Sequence, residues 1–336
     1  MKIILLLFLF SIAGTFQSEK PIAVKILRSE FIYESAPFPE CHASTLVETK
    51  DGILAAWFGG TREKNPDVSI YTARLVSGKW AKPILVADGV VDENLRYPTW
   101  NPVLFQNKPE QLTLFYKVGP SPREWWGAYK TSADDGKSWS EEVKLQEGFL
   151  GPIKNKSVLL ANGQILYPSS LETDKAWTIH VEKSDANLQN WEKIEISNGN
   201  FNAIQPTVLF HPDGKIQLLS RTQEGKVGVN WSQDQGETWS RMQGSALINN
   251  NSGIDGITLK SGYQLLLCNP LQKGRNKLSL MGSEDGVNWK ELMILEDQAS
   301  GEFSYPAIIQ AKDGTVHLTY TYNRKKIKYV SLHISE

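Results

Sequence analysis

A polar turn closed by tryptophan is written several times along this chain. Residues 132–140 read SADDGKSWS, 232–240 read SQDQGETWS and 283–291 read SEDGVNWKE. Two looser turns end the same way, SGKW at Trp80 and SDANLQNW at Trp191. The five tryptophans, at 80, 139, 191, 239 and 289, recur at a period near 50 residues. Self-similarity at such a period marks a repeat architecture, in which each unit buries its apolar face only against its neighbours.

Short alternating or apolar runs lie between and on either side of the tryptophans: GILAAWFG, QLTLFYKV, QILYPSS, KIQLLSRT, YQLLLCNP and TVHLTYTY. Turn signals such as Asp51-Gly52, Asn162-Gly163, Asp213-Gly214 and Asp313-Gly314 precede them. This is strand and hairpin grammar. Beyond the first 20 residues no long window carries helical periodicity. About four short strands per repeat make one propeller blade, and the chain after residue 20 holds about six such repeats. We therefore expect an all-β, six-bladed β-propeller over 21–336 as a single domain. The last run (303–335) and the first (22–35) should share a blade and close the ring, leaving no open sheet edge. In the turns, Asp and Ser bond backbone amides, Gly takes a positive φ and Trp packs on the blade. The repeat is scaffold, so the chemistry must come from elsewhere.

In the opening MKIILLLFLFSIAGTFQSEK one Lys precedes an apolar run over 3–10, and small and polar residues follow, the pattern of a secretory leader over 1–20. No cysteine follows the apolar run, and no later stretch is apolar enough to span a bilayer. A secreted or periplasmic protein without a membrane span is expected. A net charge of −1 argues against a nucleic-acid partner held by phosphate electrostatics. Export permits a disulfide between Cys41 and Cys268, the two cysteines, without requiring one. No metal-ligand or cofactor motif is present.

The tryptophan turns at blade spacing resemble the Asp-box, or BNR, repeat of the sialidase superfamily, over about residues 35–333. The resemblance implies an exported, sialidase-like exo-glycoside hydrolase that releases a terminal acidic sugar from a glycan. In that family three arginines hold the substrate carboxylate. A Tyr activated by a Glu attacks the anomeric carbon, and an Asp on a loop is the acid. A neutral phenol suits a centre that already bears a carboxylate. With a pKa near ~10 the phenol needs a neighbouring base.

Carried over motif by motif, FSYPAIIQAKDG makes Tyr305 the candidate nucleophile, eight residues before Asp313. KIQLLSRT, ahead of SQDQGETW, makes Arg221 one carboxylate ligand, and NPLQKGR makes Arg275 another. WFGGTREKNPD supplies Arg62 to the substrate and Asp67 as the acid. Two positions depart from the family. His42 stands where its first arginine should be, and Gln205 where its activating Glu should be. As an imidazolium His42 would bind an anion; as a neutral ring it could be a base. Glu172 and Glu302 are candidate replacements for the missing carboxylate. Lys154, Asn155 and Lys156 in GPIKNKSVLL read as a substrate-facing rim, Lys117 as a further cationic contact, and Trp125 and Trp126 as a sugar-stacking pair.

Arg221, Arg275, Asp67, His42 and Tyr305 should meet at one end of the central channel, with His42 or Glu172 in reach of the Tyr305 hydroxyl. Two other readings stay open. His42 and Tyr305 could act as base and acid in a lyase that cleaves uronate polymers. Alternatively, the propeller could bind carbohydrate without catalysis, which Gln205 favours.

Overall fold

The computed structural model describes residues 22–335, and the expected leader over 1–20 lies outside them. The described residues form six sheets of antiparallel strands, one per blade. Blade 1 runs outward from the inner strand Glu40–Thr49 through Gly52–Gly60 and Ser69–Val76 to Lys79–Trp80, with Ile84–Ala87 also paired to the third strand. The inner strands of blades 2 to 5 are Thr99–Lys108, Val158–Leu159, Ala203–Phe210 and Asp255–Thr258. In blade 6, Phe303–Gln310, Val316–Tyr322 and Lys326–Ser335 are completed by Ala23–Phe31 from the other end of the chain. The expected ring closure is therefore formed.

Side chains alternate along each strand, so both faces of a blade pack against a neighbour. Six buried apolar clusters result, one in each gap between blades. Leu104, Leu114 and Tyr116 of blade 2 pack on Leu54, Phe58 and Ile70 of blade 1. Ile257, Leu265 and Leu278 of blade 5 pack on Ile308, Leu318 and Val330 of blade 6. Cys41 and Cys268 are buried, unpaired and lie in blades 1 and 5.

First and third strands of a blade run in the same direction. Every third-to-fourth-strand turn therefore lies at the end of the ring opposite the start of the inner strands. All five periodic tryptophans sit at that junction. In the turn ending at Trp239, Asp234 Oδ1 accepts from the Thr238 amide at 2.9 Å and from Ser232 Oγ at 2.8 Å. The Gly236 amide donates to Ser232 Oγ at 2.8 Å, with Gln235 and Gly236 both at positive φ. The turn at Trp289 is one residue shorter and keeps the same Ser283–Asp285 pair at 2.9 Å.

The Thr238 hydroxyl and amide, against the small cost of desolvation, hold the Asp234 pKa down to about 2. A depressed carboxyl contributes stability that is present above its unfolded pKa and is lost as pH falls through the folded one. Asp234→Ala should cost about 1 kcal/mol near neutral pH, the scale of a lost turn hydrogen bond. The difference between wild type and variant should shrink as pH falls from 4 to 2. Denaturant titrations across that range measure it, and a pH-independent difference would remove the hydrogen-bonded carboxylate as its cause.

Candidate active site

Inner strands enter the channel from the face opposite those turns. Four of them break register within their first few residues. Bulges lie between His42 and Thr45, Trp100 and Val103, Ile204 and Thr207, and Ser304 and Ala307. At each bulge one non-glycine residue has a positive φ: Ala43 at 55°, Asn101 at 42°, Gln205 at 55° and Tyr305 at 52°. L residues seldom adopt this conformation, and a bulge that forces it re-aims the side chain. Pro102, Pro206 and Pro306 follow three of the four. Tyr305 and Gln205 are thereby turned toward each other, although 100 residues separate them.

The Tyr305 hydroxyl oxygen accepts from Arg221 Nη1 at 2.9 Å and from Gln205 Nε2 at 3.2 Å. Gln205 Oε1 accepts from the same Nη1 at 3.2 Å, which closes a triangle. Arg221 Nε donates to Asn251 Oδ1 at 2.9 Å. The guanidinium lies between the Trp177 ring, 5.5 Å from its centroid, and the Tyr305 ring, 5.8 Å from its centroid. Gly253 packs against Tyr305, and a Cβ there would stand 3.2 Å from the ring.

Arg275 also stands 5.8 Å from the Tyr305 centroid, and its Nη1 donates to Glu302 at 3.0 Å. The same carboxylate oxygen accepts from Arg324 Nε at 2.9 Å, and Arg324 Nη1 pairs with Glu63. Burial alone would raise the Glu302 pKa, but Arg324 and Arg275 hold it below its ordinary value. Arg324 is the residue that motif matching overlooked. Arg221 lies near the end of the second strand of blade 4, and Arg275 and Arg324 lie in the connection between second and third strands of blades 5 and 6. Their recurrence at blade spacing was the available signal. The Arg324 carbonyl accepts from the Cys41 amide at 2.7 Å, next to His42. A guanidinium from blade 6 thus stands beside the position where the family's first arginine was sought.

His42 is 2% exposed, with its ring centroid 4.1 Å from that of Tyr305. Burial, reinforced by Arg324, Arg275, Lys154 and Arg221, drives its pKa well below the ordinary histidine value. The ring is therefore neutral near pH 7 and is not an anion-binding imidazolium. Its Nδ1 lies 2.9 Å from Thr321 Oγ1, and the hydroxyl of Tyr305 is held by Arg221 and Gln205 instead. Glu172, half-buried at the end of its strand, faces the charges of Arg221 and Glu63, and burial raises its pKa. It is not among the hydroxyl's partners, so the expected contact from His42 or Glu172 is replaced by the arginine–glutamine pair.

Asp67 is exposed on the connection 61–68 of blade 1, the same loop that sends Glu63 to Arg324. Its Oδ2 accepts from the Thr61 amide at 2.8 Å and hydroxyl at 2.5 Å, closing the loop on itself. Arg62 is exposed on this loop and takes no part in the hydrogen bonds around Tyr305.

Four residues expected at the rim are elsewhere. Lys117 is fully buried, and its Nζ donates to the Pro152 carbonyl at 2.8 Å. Burial pushes its pKa down to about 7 against the opposing pull of Glu182. Its side chain points between blades 2 and 3 and cannot meet a substrate. Lys154 and Asn155, 4% and 2% exposed, and Lys156, which salt-bridges Asp255 at 2.8 Å, are tethers inside the channel. Their polarity, read as exposure, serves backbone carbonyls that the bulges and short inner strands leave unpaired. Trp125 and Trp126 line a cleft of about 490 Å³ between blades 2 and 3, with Lys144 Nζ 4.7 Å from the Trp126 centroid.

A six-bladed ring with Asp-box turns at one end and an arginine-rich, tyrosine-centred mouth at the other defines a sialidase-like propeller. The chain belongs to the BNR repeat-like domain family, whose model matches residues 51–318. It is similar in structure to a protein of unknown function from Dyadobacter fermentans, with TM-score 0.76, 16% identity, and coverage of 93% of this chain and 100% of that one. The Hadza microbial sialidase Hz136 gives a TM-score of 0.76 at 15% identity, covering 87% of this chain and 65% of that one. The NanB sialidase of Streptococcus pneumoniae gives 0.72 at 14% identity, covering 91% and 70%. No curated protein sequence matches the chain. Among the described residues no helix is long and apolar enough to cross a membrane.

Proposed function

We propose that this chain is an exported exo-glycoside hydrolase that removes a terminal, carboxylate-bearing, sialic-acid-like sugar from a glycan, with Tyr305 as nucleophile. The observation that carries the reading is the Tyr305 hydroxyl held between Arg221 and Gln205, with two further guanidiniums beside it. Donors converging on a phenolic oxygen stabilise the charge that it carries once its proton has left. They offset the absence of a carboxylate at the Gln205 position. The proton leaves to water at the half-open mouth while the tyrosine oxygen bonds the anomeric carbon. Glu172, whose burial raises its pKa, is suited to protonate the departing oxygen and then to take a proton from the hydrolytic water. Arg221, Arg275 and Arg324 receive the carboxylate. Export rests on the sequence of residues 1–20.

One observation favours a second reading, a carbohydrate-binding propeller without turnover: Gln205 cannot accept the phenol's proton. A lyase is less well supported, since its base would be His42, which is buried beneath the Tyr305 ring. Incubation with sialoglycans, related keto-acid glycosides and uronate polymers separates the three. Free reducing sugar is the expected result. Absorbance from a 4,5-unsaturated product would mean elimination, and binding without product would mean a lectin-like propeller.

A further inference from the structure

The bulges that aim Tyr305 and Gln205 leave backbone groups without ladder partners. Ladder pairing is interrupted between Ile204 and Thr207 and again between Ser304 and Ala307. The prolines at 206 and 306 have no N–H, but their carbonyls still require donors inside the channel. Both carbonyls, and that of Gln205 itself, are met from blade 3. Asn155 Nδ2 donates to Gln205 O and Pro206 O, each at 3.0 Å. Lys154 Nζ donates to Pro306 O at 2.5 Å, to Ile254 O at 3.0 Å and to Asn155 Oδ1 at 2.8 Å. The last bond couples the two donors into one unit. Blade 3 can supply them because its inner strand, Val158–Leu159, is only two residues long, so Lys154 and Asn155 lie outside its ladder.

We propose that Lys154 and Asn155 are positioning residues for the reacting tyrosine. They pin, from blade 3, the left-handed bulges of blades 4 and 6 that set Gln205 and Tyr305 at hydrogen-bond distance. The catalytic consequence rests on the reading of Tyr305 as nucleophile; the geometric consequence does not. Neither residue touches the substrate. Asn155 holds Gln205 at its own carbonyl and at that of Pro206, Lys154 holds Tyr305 through the Pro306 carbonyl, and Lys154 Nζ also lies 5.8 Å from the Tyr305 ring centroid. A small rotation of either bulge would open the triangle of Arg221, Gln205 and Tyr305. A displacement on the order of 1 Å at a reacting group can cost about 100-fold in rate.

Protein carrying tyrosine labelled with ¹³C at Cζ provides the test. The Tyr305 resonance is assigned by its loss in Tyr305→Phe and then followed in Lys154→Met, Asn155→Ala and Lys183→Met. Lys183 is a fully buried lysine of the same blade that pairs with Glu237, outside the Tyr305 cluster. Lys154→Met and Asn155→Ala should both move the Tyr305 signal and lower kcat by about 10- to 100-fold, with KM changed far less. Lys183→Met should lower stability and leave that signal in place. If Lys154→Met does not fold, Asn155→Ala, the milder change, decides the matter. An unmoved Tyr305 resonance in either folded variant overturns the proposal, whatever the activity. Retained turnover in Tyr305→Phe would instead overturn the reading of Tyr305 as nucleophile, while the resonance shift would still report the clamp.

Discussion

Tyr305→Phe should lower turnover of an acidic glycoside by on the order of 10³-fold or more while leaving the melting temperature almost unchanged. The substitution removes one oxygen and keeps the ring. That ring packs on His42 and Gly253 and faces two guanidiniums and Lys154. The loss should fall mainly on kcat, since the three arginines that receive the carboxylate remain. Removing the hydroxyl also takes away one partner of Arg221 Nη1, which retains Gln205 Oε1. Side-by-side kcat, KM and thermal melts measure the effect. A variant that keeps most of its turnover would exclude a covalent tyrosine intermediate.

Arg221→Met should raise KM and lower kcat/KM by about 10²- to 10³-fold for the acidic substrate, the scale of two charge-assisted hydrogen bonds lost together. Of the three guanidiniums, Arg275 and Arg324 are already neutralised by Glu302 and Glu63. The partners of Arg221 are Asn251, Gln205 and Tyr305, all uncharged. It is therefore the cation with most to gain from an incoming anion. Arg221→Lys keeps the charge but loses the fork, and should recover only part of the deficit. The specific readout is discrimination between a substrate and its carboxamide. Wild type should prefer the acid strongly, and Arg221→Met should lose most of that preference. An unchanged preference would assign carboxylate recognition to other residues.

The propeller was legible because its signals are local and repeated: an Asp-Gly or Asn-Gly turn, a short strand run and, in five blades, a turn-closing tryptophan. Arg221 and Arg275 were legible because each closes an apolar strand run, and Tyr305 because it stands eight residues before an Asp-Gly turn. The remainder of the site was obscured by two physical facts. Polar residues next to an apolar strand look solvent-facing, yet Lys154 and Asn155 are buried because bulged backbone elsewhere in the ring needs their donors. Arg324 lies in a lysine-rich hairpin, YNRKK, that reads as an ordinary exposed turn. Only closure of the ring brings it beside His42 and Glu63. The bulges themselves left a trace that was not used, the residue-proline pairs Asn101-Pro102, Gln205-Pro206 and Tyr305-Pro306 at equivalent strand positions.

Blade 6 takes its outer strand from the opposite end of the chain, with Ala23 opposite Ser335 and Phe31 opposite Lys328. The contact that completes the circle therefore joins residues 297 to 312 positions apart, and closing so large a loop should be a slow pairing. Until it forms, Lys326–Ser335 is an unprotected edge able to pair with another chain. Newly made protein should pass through an open, sticky ring. Covalently linking the two neighbouring ends and cutting instead at an exposed turn such as 162–163 would turn that last step into a hairpin and should hasten folding.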